Sequence, residues 1–428
     1  MIVLAQLLQM IPFGTGISAS LAIAHELGGN DQPTQIPTLI PTCRLTQGAF
    51  VLIGGRIGAV FGHKNTLLAA GVWWVIFSLV SGFMKSIVGL CVMRALTGIG
   101  GAFMVPNALA LLTINFPPGK MRNITVGFFG AMAPIGAAGG GIFSGFFVQL
   151  TPWKWLFFFL VAKAIAGAVL FTAFAFVVPG EPEPLDKYGS IDFAGAYFGV
   201  AGLILFNFVW NQAPAVGLNE PYIYTLLVVS ILHFIAFVLW EWKVAAAPIL
   251  PLTIWTTPSF TWVILVSYLA FMAVGIVIWY VTLFKQVLRH YTIFASSATY
   301  ATLAVAGTVF AFLSSQAISR MPAQYILAIG SLGSCVACVL VATTPARQEY
   351  WAQIFPALIF TAFGPDFIFT ATQIIASNTV RRDQQGIAGS LMGTVLSYSL
   401  STGLGFAGTV EAYTNRGGED LLRGYRSA

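Results

Sequence analysis

Four ionisable side chains lie in otherwise apolar sequence: Arg94 in CVMRALTGIGG, Lys163 in FFFLVAKAIAG, His233 in VVSILHFIAF and Asp366 in TAFGPDFIFTATQ. Charge inside a bilayer is expensive, so each is a functional candidate by default. A carboxyl such as Asp366 can load and unload a proton; the alternative is a cap on a helix that restarts after Gly364-Pro365. Arg94 can serve as a functional cation in a central cavity, or as a partner to backbone carbonyls at a helix break. Lys163 reads as a snorkelling residue, and His233 as a neutral packed one. Uncharged polar residues could line a path or glue helices together. The candidates are Gln6, Gln9, Gln47, Asn107, Gln373 and Asn378, with Gln6 and Gln9 three apart on one helical face.

The elements that hold these residues follow from composition. The chain has 428 residues, 57% hydrophobic and 8% charged, with a mean hydropathy of +0.85. Soluble proteins are about 25% charged. These values exclude a soluble enzyme, a nucleic-acid-binding domain and a disordered chain. The +6 net charge is scattered singly, as loop charges that set membrane orientation are. Cys335 and Cys338 spell C-x-x-C inside an apolar run with no second ligand pair, so they read as small packing residues, with no metal and no cofactor.

A span needs about 20 apolar residues. Runs between Pro, Gly and charge punctuation predict an all-α polytopic membrane protein with thirteen spans, near 2–24, 38–61, 66–84, 87–113, 124–149, 155–178, 191–211, 222–241, 257–284, 292–315, 322–343, 351–375 and 386–411. The first span starts almost at Met1, which reads as a shortened N-terminus. Residues 179–190, PGEPEPLDKYGS, form a solvated linker after six spans. The pattern is a six-helix bundle over 1–178, the linker, an inserted helix pair over 191–243, a five-helix and thus incomplete bundle over 252–411, and a tail over 412–428. With the N-terminus cytosolic, inner loops hold Arg56, Lys64, Lys120, Arg122, Lys187, Lys243, Arg320, Arg381 and Arg382, against Lys85, Lys154, Lys285, Arg289 and Arg347 outside. Arg416, Arg423 and Arg426 in an outer tail weaken that bias.

Three motifs lie in order along the first spans. GGRIGAVFGHKN offers Gly55, Gly58 and Gly62 for a tight turn, with His63 and Lys64 as inner charges. Arg94 is followed by Gly98, Gly100 and Ala102. GFFGAMAPIGAAGGGIFSGFF carries Pro134, which bends a helix, and Gly136, Gly139, Gly140, Gly141 and Gly145, which allow close helix contact. On these residues the chain resembles the major facilitator superfamily. It is similar to the fourteen-span drug:proton antiporter branch, and within it to fungal aminotriazole-resistance-type exporters. The resemblance implies two six-helix bundles with an inserted pair, a gating loop at Gly55, Gly58, Gly62, His63 and Lys64, proton coupling through Arg94, and an antiporter-type helix at Pro134, Gly136, Gly139 and Gly140. Ala59 stands where the family has Asp, Ala133-Pro134 replaces Gly-Pro, and the last helix is missing. Arg44, in TLIPTCRLTQ, is an anomaly inside the second span.

The expected function is a proton-coupled secondary exporter of small amphipathic molecules, working by alternating access. Its partners are the lipid bilayer, a small-molecule substrate and protons, with no nucleic acid; it is a monomer in the plasma membrane, or in a vacuolar or other internal membrane. The alternatives are an inorganic-solute transporter, boron-like compounds included, and a truncated, non-transporting product. A membrane-embedded enzyme needs a catalytic cluster that the sequence does not show. Gly403, Gly405 and Gly408 match G-x-G-x-x-G, but within a membrane helix and with no preceding strand, so dinucleotide binding is not expected.

Overall fold

The computed structural model describes residues 2–26, 41–116, 120–150, 154–178, 186, 189–251, 254–255, 258–318, 320–379 and 385–428. Among them the chain is helical throughout, with no strand. The first six helices are α1 (Ile2–Glu26), α2 (Pro41–Phe61), α3 (His63–Ser81), α4 (Ile87–Asn115), α5 (Lys120–Leu150) and α6 (Lys154–Val177). A pair follows, α7 (Phe193–Val216) and α8 (Pro221–Lys243). The remainder are α9 (Pro258–Leu283), α10 (Ile293–Ala298), α11 (Ala301–Ala317), α12 (Ala323–Ala342), α13 (Ile354–Thr379), α14 (Gln385–Thr414) and a short α15 (Leu421–Ser427).

Every expected apolar run is helical, with two differences. The run expected over 292–315 is divided into α10 and α11 at Thr299–Tyr300. There the Lys285 ammonium takes the Ser296 carbonyl (2.9 Å) and the Thr299 hydroxyl, which loosens one turn. The stretch expected as a tail folds as α15, capped by Asp420 and anchored by Tyr425 against Tyr280 and Phe284. Among the described residues ten spans, not thirteen, are long and apolar enough by themselves to cross a bilayer. The other long helices are α2, α6 and α14. The described apolar part of α6 is only Val161–Val177. Both α2 and α14 are polar because they face protein: Arg44 and Gln47 of α2 and Ser397, Ser399, Ser401 and Thr402 of α14 are buried.

Small residues fix the closest contacts. A side chain at Gly14, Gly136 or Gly140 would strike the backbone of the facing helix, so α1 and α5 lie backbone to backbone. Both α2 and α3 pack on α4, and α6 on α3; α12 and α11 pack on α13, and α9 on α14 and α13. The first six helices meet the later ones along α2–α14 and α5–α11. At the end where α2 turns into α3, Leu52 joins an apolar cluster with Leu250, Ile254, Phe260, Ala388, Leu391 and Met392, and Phe128 meets Phe312 edge-on. At the far end Gln149 accepts from the Phe294 amide (2.9 Å), Gln286 donates to the Ser18 carbonyl (3.1 Å), and Phe146 meets Phe294. Among the described residues the two halves thus meet at both ends. The α7–α8 pair is seated on α14: Ser401 donates to Asn207 (2.8 Å), and Tyr398 to the Leu203 carbonyl (2.8 Å).

Candidate functional site

The interior of the first six helices holds three buried cations, Arg44, Arg94 and Lys163. Arg94, on α4, donates from Nη2 to the Pro12 carbonyl of α1 (3.0 Å), and its Nε has no partner among the described residues. Pro12 lies inside α1, and Gly16 leaves room for the guanidinium. Both readings of Arg94 therefore meet at one place: it does satisfy a carbonyl, and it also lines a cavity. That cavity, about 20 Å³, has room for one water. Thr15, Cys43, Thr97 and Lys163 line it as well. Lys163 does not snorkel outward; its ammonium lies 5.6 Å from the Trp74 ring, inside the protein.

Arg44 turns from an anomaly into the end of a polar chain. It donates to Gln47 Oε1 (3.2 Å), and its guanidinium lies 4.3 Å over the Phe13 ring. Gln47 donates to Gln9 (3.0 Å), which donates to Gln6 (3.1 Å). Gly101 of α4 faces this chain and leaves it space. Three of the expected path residues are thus brought together with one that sequence reasoning set aside. Its signal was the residue spacing: Arg44 and Gln47 are three apart on α2, as Gln6 and Gln9 are on α1.

Asp366 lies on α13, which runs unbroken through Gly364-Pro365, so it caps no helix start. One of its carboxylate oxygens, Oδ2, is buried without a partner among the described residues. Gly307 of α11 abuts both this carboxylate and the ring of Pro134 from α5. Two residues singled out separately, Pro134 and Asp366, therefore flank one glycine where α5, α11 and α13 meet. Gly136 and Gly140 serve the α1 contact, whereas Gly139 has nothing close to it.

Asn107 lies away from this interior. It donates to the carbonyls of Gly54 (3.0 Å) and Phe103 (2.6 Å) and pairs with His63 Nδ1 (2.7 Å). It therefore pins the α2–α3 turn, where Gly62 takes φ 95°, a value that suits glycine. A Cβ at Gly58 would strike the Asn107 amide, and one at Gly55 the Ser390 hydroxyl of α14. Lys64 is half-buried at the start of α3. Beside this turn Asp186 pairs with Arg56 (2.8 Å) and donates its amide to the Ala59 carbonyl (2.9 Å), so a linker carboxylate sits at the position that lacks one. Truncating Asn107 to Ala removes its bonds to the Gly54 carbonyl and the His63 ring in a buried site. It should lower stability by about 1–3 kcal/mol, read as a lower unfolding midpoint in detergent, and an unchanged midpoint would refute the pinning role.

Gln373 is half-buried on α13, and Asn378 lies five residues further along the same helix; most of the linker and Arg381 and Arg382 lie outside the described residues. His233 pairs with the Val229 carbonyl (2.8 Å) and packs on Tyr197 and Phe198. Cys335 and Cys338 are free thiols on α12. Among the described residues no three His, Cys, Asp or Glu side chains could hold a metal together. Gly403, Gly405 and Gly408 are contact points for Met272, Trp210 and Pro214 of the neighbouring helices.

Comparison with known proteins agrees with this architecture. A low affinity ammonium transporter of Saccharomyces cerevisiae is 37% identical over 422 residues, covering 96% of this chain and 81% of its own length. The efflux pump terJ of Aspergillus terreus is 34% identical over 432 residues, covering 99% and 82%. The aminotriazole resistance protein of Saccharomyces cerevisiae is 34% identical over 396 residues, covering 91% and 72%. The family model described as Major Facilitator Superfamily matches residues 2–405. With its all-helical described residues and ten apolar spans among them, the chain belongs to the Major Facilitator Superfamily of membrane transporters.

Proposed function

We propose that this transporter is a proton-coupled exporter of small amphipathic molecules, of the drug, toxin or secondary-metabolite class. The bundle over 1–178 rocks against that over 252–411 about a midplane site, as in alternating access. The observation that carries the proton coupling is Asp366. It is a buried carboxyl with an unpartnered oxygen, placed against Pro134 where α5 meets α11 and α13. A carboxyl at that junction changes surroundings whenever the two bundles separate, so it can take a proton from one side and release it to the other. Arg94 supplies the cation of the opposing half, and Gln6, Gln9 and Gln47, with Arg44, line the path. Gly55, Gly58, Gly62, His63 and Lys64 form the gating turn on the cytosolic side, and the protein works as a monomer in the plasma membrane. The direction rests on the relatives named for efflux and resistance.

A second reading is uptake or release of a small inorganic solute by the same fold, favoured by the one-water cavity and by the ammonium-transporting relative. One experiment separates them. Proteoliposomes containing the chain, given an inward-directed proton gradient, should extrude an amphipathic dye or toxicant while ammonium flux stays at the empty-vesicle level. Gradient-driven ammonium flux with no dye movement would replace the first reading by the second.

A further inference from the structure

The Arg94–Lys163 cavity is charged on one side only. Arg94 is 9% exposed and Lys163 7%, and both line it with Pro12, Thr15, Cys43 and Thr97. No carboxylate is among its lining residues. Arg94 spends one hydrogen bond on the Pro12 carbonyl, and its Nε has no partner among the described residues. The Lys163 ammonium lies 5.6 Å from the centre of the Trp74 ring. Two cations buried together with no counter-charge lining their cavity among the described residues are costly on both desolvation and repulsion. A guanidinium stays protonated in a protein and presents five donors suited to an anion. The volume of about 20 Å³ holds one water-sized guest.

We propose that this cavity binds a monovalent anion, either a free halide-sized ion or the carboxylate head of a transported molecule. The site uses the cation assigned above to the opposing half, so the inference rests on that reading while extending it to a charge class of ligand. The guest sits between the Arg94 Nε and the Lys163 Nζ and satisfies both. An amphipathic acid would place its head there and its apolar body along α1.

The test uses the purified full chain in detergent and needs no transport. Its unfolding midpoint is measured in potassium chloride, bromide, acetate or benzoate against the potassium salt of a bulky sulfonate at equal ionic strength. A binding anion near ten times its dissociation constant should raise the midpoint by about 1–2 °C, saturably. The rise should vanish in Lys163→Met and persist in Lys163→Arg. A rise with halides identifies the free ion, and a rise with carboxylates alone identifies the substrate head. Equal midpoints in every salt, or an undiminished rise in Lys163→Met, would overturn the site. If Lys163→Met does not fold, the wild-type chain decides through ³⁵Cl resonance broadening. Broadening displaced by bromide or acetate supports the site, and broadening that neither displaces refutes it. A chain that binds anions but extrudes no dye keeps this site and loses the exporter reading, and the reverse result does the opposite.

Discussion

Asp366→Asn should reduce proton-gradient-driven transport to the level of empty vesicles while leaving the protein folded and inserted. Asparagine has nearly the shape of aspartate but cannot carry a proton across the cycle. The substituted oxygen, Oδ2, makes no hydrogen bond among the described residues, so the change removes no contact that holds α13 in place. The measurement pairs gradient-driven efflux with substrate counterflow, which needs no net proton movement. Counterflow should survive and efflux should not. Wild-type efflux in Asp366→Asn would end its assignment as the proton carrier. Arg94→Ala should stop both modes, because it removes the guanidinium from the cavity together with its bond to the Pro12 carbonyl.

Gly136→Val should leave no stably folded protein. A Cβ at this position would lie 2.5 Å from the Leu7 carbonyl, and the two backbones have no side-chain layer between them that could give way. Overpacking usually costs 1–3 kcal/mol; here it meets the Leu7 backbone and the Met10 Cβ of α1 and should exceed about 4 kcal/mol, the exceptional range for one substitution. Gly139→Ala three residues on is the control. Nothing lies within 4 Å of it, and alanine favours the helix by up to about 1 kcal/mol. The two variants are compared by monodisperse yield and unfolding midpoint. A well-folded Gly136→Val would show that α1 and α5 are not locked through their glycines.

The helices were legible because a bilayer imposes a long apolar run on whatever crosses it, and few other patterns compete. The exceptions have local causes. The α10–α11 break depends on where Lys285 points, which the run of residues around 292–315 does not show. Gly364-Pro365 reads as a helix break, yet α13 continues, since a membrane helix can absorb one missing donor when neighbours pack around it. Arg44 looked misplaced because its partners on α1, Met10 and Phe13, and the Gln9 that Gln47 reaches are brought to it only by the fold. Asn107 looked like a path residue for the opposite reason: an amide in an apolar helix carries no mark of depth, and its bonds to His63 and Gly54 belong to the turn. The meeting of Pro134 with Asp366 across Gly307, and of Arg94 with Lys163 around one cavity, joins residues far apart in the chain.

The meeting of the halves at the far end combines two materials. Separating it gives up the hydrogen bonds of Gln149 and Gln286, which water replaces at a net cost near 1 kcal/mol each. It also wets the apolar cluster that Ile17 and Ala138 share with Val277, Ile278, Tyr300 and Leu303. Separating the end beside the α2–α3 turn wets the cluster around Leu52, Leu391, Met392 and Phe260. Either cost grows with every square ångström exposed, at about 25 cal/mol. An empty carrier of this kind has oil behind both doors, and a guest at either one eases the opening by the apolar surface it brings.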